Sequence, residues 1–194
     1  LPTLGADNEL AECGVKRLPA GASFILFYPF MFEKLETLDD LLEMQLKDLY
    51  SAESQLLKAL PLMAEKAKDG RLRASFNKHL RETDRQVERL EEIGEALGID
   101  LTGHTCKAMA GLIAEGQETM SERATAEVMD AALIAAAQRI EHYEISGYGT
   151  AAHFAERLGY AQAADLLLQT LDEEQFTDAK LNDLAKNYLN EKAL

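Results

Sequence analysis

The stretch Gly98-Ile-Asp-Leu-Thr-Gly-His-Thr-Cys-Lys-Ala-Met-Ala-Gly-Leu-Ile-Ala-Glu-Gly-Gln-Glu-Thr-Met-Ser-Glu-Arg-Ala124 decides how this chain folds. At about 27 residues it is the longest break in a pattern that is otherwise helical from Leu38 onward. It holds Gly98, Gly103, Gly111 and Gly116, yet Met109, Leu112, Ile113 and Met120 have the spacing of a short amphipathic helix. Upstream, Thr37-Leu-Asp-Asp supplies N-cap chemistry, and Leu42, Leu46, Leu49, Leu56, Leu60 and Met63 recur at helical spacing. Pro61 is expected to kink that helix or to end its regular part. Asp69-Gly70 makes a turn, and Leu72, Phe76, Leu80, Val87, Leu90, Ile93 and Leu97 line a second helix that Gly98 stops. Downstream, a third helix runs from about Thr125 to Arg157, Leu158-Gly159-Tyr160 turns, and a fourth carries Leu167, Leu168, Leu171, Leu181, Leu184 and Tyr188. No window alternates with period two for long enough to make a strand, so the chain reads as all-α.

Connection lengths then set the topology. The first and second helices are joined by a short turn, as are the third and fourth, so each pair is an antiparallel hairpin. A helix of about 26 residues is roughly 39 Å long, a distance that the long break can retrace. The expected architecture is a four-helix bundle with one long crossover between helices two and three, the ferritin-like arrangement. An up-down-up-down bundle with a decorated middle loop is the alternative. The bundle takes residues 31–194. Residues 1–30 read as an N-terminal extension, with Pro2, Pro19, Pro29, Gly5, Gly14 and Gly21 and no sustained periodicity. The apolar run Ala22–Phe32 at its end is too short to span a bilayer. It reads either as an arm packed on the domain or as a tail that docks on a partner or sister subunit.

Composition narrows the partners. The chain has 34 acidic residues against 20 basic ones, a net charge of −14, which argues against nucleic acid and anionic membranes and leaves cations open. Two cysteines make no disulfide framework, and neither C-x-x-C nor H-E-x-x-H occurs, so a reducing, cytoplasmic setting fits best.

Several acids stand where leucines should be. Glu53 falls between Leu49 and Leu56 on the apolar stripe of helix one, and Glu141 and Glu144 lie three apart on the inward face of helix three. On helix four the stripe takes in Glu174 and Asp178; on helix two, His79, Glu82 and Gln86 share a face. Buried carboxylates at one level repel one another and must find basic partners, shared protons or a multivalent cation. Arg85, Arg89 and Arg139 are near enough in sequence to make an ordinary salt-bridge network. The spacing favours a cation. Glu53 to Glu82 is 29 residues, as is Glu144 to Glu173, and Leu80, Glu82 and Leu90 match Leu171, Glu173 and Leu181 at equal offsets. Two duplicated hairpins of this kind would bring their carboxylates together at mid-bundle, a layout for two divalent ions. The repeat offset favours Glu173 on helix four; the apolar stripe favours Glu174, which is preferred here.

In these segments the chain resembles the YciE/YciF group of ferritin-like bacterial stress proteins. The resemblance rests on Asp48-Leu-Tyr-Ser-Ala-Glu-Ser-Gln55, His79-Leu-Arg-Glu-Thr-Asp-Arg-Gln86 with Arg89-Leu-Glu91, Glu141-His-Tyr-Glu-Ile-Ser-Gly-Tyr-Gly149 and Leu171-Asp-Glu-Glu174, within about residues 32–190. It implies a rubrerythrin-like bundle, a homodimer and a dinuclear site holding two divalent ions, iron first and manganese as the alternative. Glu53, Glu82, Glu141, Glu144 and Glu174 (or Glu173) would be its ligands. The Glu-x-x-His pattern of such sites is absent: Arg85 follows Glu82 and Thr177 follows Glu174 at that spacing. His79 is the one candidate nitrogen, and Gln86 and Asp178 are candidate oxygen ligands.

Around the site, Tyr50, Tyr143 and Tyr148 read as core residues whose hydroxyls bond carboxylates. Gly147 and Gly149 imply close approach of another helix, at a dimer interface among other places. Cys106 sits in the crossover with no base in view. Three functions compete: a di-metal oxidoreductase or peroxide- and metal-handling protein, a non-enzymatic stress or structural protein, and an interaction module that docks through residues 22–32.

Overall fold

The computed structural model describes residues 35–194; residues 1–30, and with them the expected arm at 22–32, lie outside the described part. Its helices are α1 (Leu38–Lys66), α2 (Gly70–Leu97), α3 (Lys107–Ser121), α4 (Ala126–Leu158) and α5 (Ala161–Leu184). A π-helical turn, Ala185–Leu189, and a last helical turn, Asn190–Lys192, follow. No strand occurs among the described residues.

Local chemistry sets the ends. Thr37 and Asp40 form a reciprocal capping box, with Asp40 N donating to Thr37 Oγ1 at 3.1 Å and Thr37 N to Asp40 Oδ2 at 2.8 Å. Gly98 (φ 70°) and Gly159 (φ 81°) close α2 and α4 in the left-handed conformation that only glycine adopts cheaply. Pro61 does not end α1, which continues to Lys66. It lies on the exposed face, where water can take the carbonyl that the missing N–H leaves over. Tight packing of the next turn, with Met63 and Ala64 buried, holds the helix together.

Three contacts fix the topology. The backbone N–H groups of Lys68 and Asp69, in the α1–α2 turn, donate to the buried Asp130 near the start of α4 at 2.8 and 2.7 Å. At the opposite pole Tyr160 donates to Asp39 at 2.7 Å and Gln162 to Glu92 at 2.9 Å. The end of α2 and the start of α4 therefore sit at opposite poles, and α4 runs antiparallel to α1. Residues 98–125 must cross the length of the bundle, with α3 packed along α1 and α4. This is the bundle with one long crossover, and the up-down-up-down alternative is excluded.

The core comes in two apolar halves. Leu56, Leu60, Phe76, Met109, Leu133 and Leu181 belong to one; Leu42, Leu46, Leu90, Ile93, Ala151 and Leu167 belong to the other. On every bundle helix the polar residues singled out above fall between the two. Gly147 serves close packing inside the chain: a Cβ there would meet Leu49 Cδ2 at 2.8 Å, whereas one at Gly149 would lie 3.9 Å from its nearest neighbour.

Candidate metal centre

The polar layer is built by one inward residue per helical turn at mid-bundle. His79 from α2, Glu141 and Glu144 from α4 and Glu174 from α5 each present a ligand atom, all within 4.8 Å of one another. His79 Nε2 stands 3.4 Å from Glu141 and 3.7 Å from Glu174. Glu53 joins from α1, where Tyr148 donates to its Oε1 at 2.5 Å. Glu53, Glu144 and Glu174 are wholly buried.

Among the described residues no Lys or Arg pairs with Glu53, Glu141, Glu144 or Glu174. One oxygen each of Glu53, Glu82, Glu141 and Glu174, and both of Glu144, are buried without a partner, as are both ring nitrogens of His79 and Oε1 of Gln86. Native interiors leave very few such atoms, because each costs about 1–3 kcal/mol, more when charged. Burial, reinforced by the charges of neighbouring carboxylates, pushes Glu53, Glu141 and Glu144 well above the usual carboxyl range and Glu174 to about 7. Burial likewise lowers His79 to about 4, which keeps its imidazole neutral and its lone pair free. Glu53 with Glu144, and Glu141 with Glu174, stand close enough to share protons. The donor set is complete for a cation in chemistry: neutral imidazole and several carboxylate oxygens facing one space. A buried group of His and Glu here could hold a metal ion.

The remaining predicted residues divide. Glu173 turns away from the cluster and forms a two-pronged pair with Arg89 at 2.8 and 2.8 Å. Burial would raise its pKa, but the Arg89 guanidinium and Gln86 outweigh it and hold Glu173 below the usual value. Gln86 is buried between the two, donating to Glu173 Oε2 at 3.1 Å and, by a shorter contact, to Glu174 Oε1. Glu82 is buried at the edge, with Oε1 held by Lys78. Asp178 is not in the cluster: Gln138 donates to it at 3.0 Å and the exposed His142 lies 3.5 Å away. One turn past Glu174, the stripe has rotated toward the α4–α5 seam. The salt-bridge network also fails as an account of the core. Arg85 is exposed, Arg139 bonds the backbone of its own helix, and Arg89 serves Glu173 alone among these acids.

Sequence reasoning missed a second polar group. Cys106 is not a loop residue but the buried N-cap of α3, with Sγ 3.2 Å from Asp48 Oδ2 and 3.0 Å from the Tyr143 hydroxyl. Tyr143 donates to Asp48, and His104 lies 3.0 Å from it. Burial, with Asp48 alongside, raises the thiol pKa, which disfavours the nucleophilic thiolate. Tyr50 bonds Glu91 at 3.0 Å at the surface; of the three tyrosines only Tyr148 touches the buried layer. The signal for Asp130, a buried acid near a helix start facing a turn in another hairpin, is tertiary and leaves no local mark.

Comparison with known proteins agrees with this architecture. The family described as a domain of unknown function, DUF892, matches residues 37–194. Protein YciF of Escherichia coli (strain K12) is 47% identical over 160 residues, covering 82% of this chain and 96% of YciF. The crystal structure of that E. coli stress protein superposes with a TM-score of 0.78 at 46% identity, covering 80% of this chain and 99% of its own. YcfI from Rhodopseudomonas palustris, described as a candidate structural protein, gives 0.76 at 43% identity, covering 79% and 98%. A protein from Xanthomonas campestris at 17% identity shares the fold alone, with a TM-score of 0.64 over 81% of this chain and all of its own. With residues 37–194 matched by its model, the chain belongs to the DUF892 family, and it is 47% identical to YciF.

Proposed function

We propose that this is a ferritin-like stress-response protein whose buried carboxylate layer binds two divalent cations. The observation that carries the reading is the set of five buried oxygens on Glu53, Glu141, Glu144 and Glu174 that no donor answers, beside a neutral histidine and, among the described residues, with no Lys or Arg paired to these four acids. Glu53, Glu141, Glu144, Glu174 and His79 would hold the ions, with Glu82 at the edge. Iron is the first choice and manganese the second, since one nitrogen among oxygens suits either. When bound, such a pair supplies redox and Lewis-acid chemistry toward a small oxidant such as oxygen or peroxide.

The chain's own residues prepare that role. Tyr148 orients Glu53, Gln86 orients Glu174, and Arg89 takes the charge of Glu173 out of the layer. The apolar halves above and below exclude water. The stress assignment draws support from the description of YciF as a stress protein. The resemblance also carries a homodimer, which light scattering on the purified chain tests, and the two cysteines without a disulfide framework carry a cytoplasmic setting. A non-enzymatic structural role is the second reading, favoured by the absence of Glu-x-x-His and by the description of YcfI. The test is elemental analysis of protein freshly purified from metal-supplemented cells. About two ions per chain, lost in Glu53→Ala/Glu144→Ala, is the expected result; no stoichiometric metal refutes the reading.

A further inference from the structure

The outer face of α5 repeats Asp165, Gln169, Asp172 and Phe176 at helical spacing, beside the edge of α2. Between the two helices lies an open cleft of about 480 Å³, lined by Glu82, Asp165, Asp172, Glu173 and Phe176 among others and, among the described residues, by no Lys or Arg. Phe176 is 60% exposed at its rim, with the Lys78 ammonium 5.4 Å from the ring centroid. Lys78 and Arg89 answer Glu82 and Glu173, so the cation-attracting charge at its mouth comes from the exposed Asp165 and Asp172.

The cleft leads to the buried layer. Glu82 is only 7% exposed; its Oε1 is held by Lys78 while its Oε2 is buried and partnerless. It stands close enough to Glu174 for its charge to be felt there. Glu173, on the cleft wall, is bridged to Glu174 through the single amide of Gln86. One layer of side chains separates the cleft from the cluster. Toward both ends of the bundle the layer is flanked by buried apolar side chains.

We infer that the α2–α5 cleft is a surface binding site for hydrated divalent cations and the entrance through which they reach the buried carboxylates. Glu82 hands them inward, exchanging Lys78 for the ion. This rests on the metal-centre reading.

The test is the rate of Mn²⁺ uptake by the full chain after chelator treatment, followed by rapid-freeze EPR, with equilibrium stoichiometry measured separately. Asp165→Asn/Asp172→Asn changes two exposed side chains outside the cluster. At low salt it should slow uptake about three- to tenfold without changing stoichiometry, and the difference should shrink as the screening length falls from about 10 Å at 0.1 M salt toward about 3 Å at 1 M. Lys78→Met should accelerate uptake. Glu122→Gln, an exposed acid on another element, should leave it unchanged. Unaltered uptake in the double variant, or equal slowing in Glu122→Gln, overturns the entrance and leaves the metal centre standing. A wild-type chain that binds no Mn²⁺ at equilibrium overturns both.

Discussion

Glu144→Gln separates a metal ligand from a structural acid, because the two roles predict opposite signs without metal. Glu144 is wholly buried, both its oxygens lack partners, and burial together with the charges of Glu53, Glu174 and Glu141 raises its pKa. A glutamine of the same shape cannot ionise, and its amide can donate to the free oxygen of Glu53. Relieving a buried unsatisfied group is worth about 1–3 kcal/mol. For a chain of this size each kcal/mol moves Tm by about 2–4 °C, so the variant should melt about 2–12 °C above the wild type in chelator. With Mn²⁺ at about 100 times Kd each site adds about 2.7 kcal/mol, so the wild type gains about 5 kcal/mol from the two proposed ions, while the variant, lacking a ligand, gains little. The order of melting temperatures should therefore invert on adding metal. Calorimetry of both proteins in chelator and in Mn²⁺ reads this directly. A variant that melts lower than wild type in chelator, or gains as much from Mn²⁺, would refute the argument.

The same layer gives the metal-free protein an unusual pH dependence. Glu174 is held at about 7 against an ordinary 4.5, so the folded chain binds the extra proton between those values. Its contribution is complete below about pH 4.5 and lost as pH rises to about 7, a change of about 3 kcal/mol. Glu53, Glu141 and Glu144 act in the same direction. His79, lowered to about 4 from 6.5, acts oppositely: its contribution is present above 6.5 and lost toward pH 4. Four carboxyls outweigh one imidazole, so the chelated protein should melt higher at pH 5.5 than at pH 8, a higher melting point at pH 8 being the contrary result; saturating metal should reverse the order, since it needs deprotonated ligands. Gly147→Ala should lower stability by about 1–3 kcal/mol by overpacking buried Leu49, whereas Gly149→Ala, with room for a methyl, should raise it by up to about 1 kcal/mol; urea melts of the pair decide it. Asp130→Ala should cost about 1–3 kcal/mol, because two turn N–H groups lose their acceptor, and hydrogen exchange at Lys68 and Asp69 should accelerate.

Local chemistry in the sequence determines most of the fold. Thr37, Asp69 and Thr125 cap helices with their own side chains, Gly98 and Gly159 end them, and the 27-residue break cannot be anything but a long connection. Apolar periodicity also marks Glu53, Glu141, Glu144 and Glu174 as inward, since an inward direction follows from residue number alone. What periodicity cannot supply is what stands opposite. Glu173 and Glu174 differ by one residue, and it is Arg89, from another helix, that draws the first outward while Gln86 holds the second in. Asp178 lies on the same stripe, yet Gln138 claims it. Arg85 and Arg139 look like countercharges in sequence and point elsewhere in space. Spacing along one helix is a local property. Whether a buried carboxylate meets an arginine, a proton or a cation depends on three other helices, and only their packing decides it.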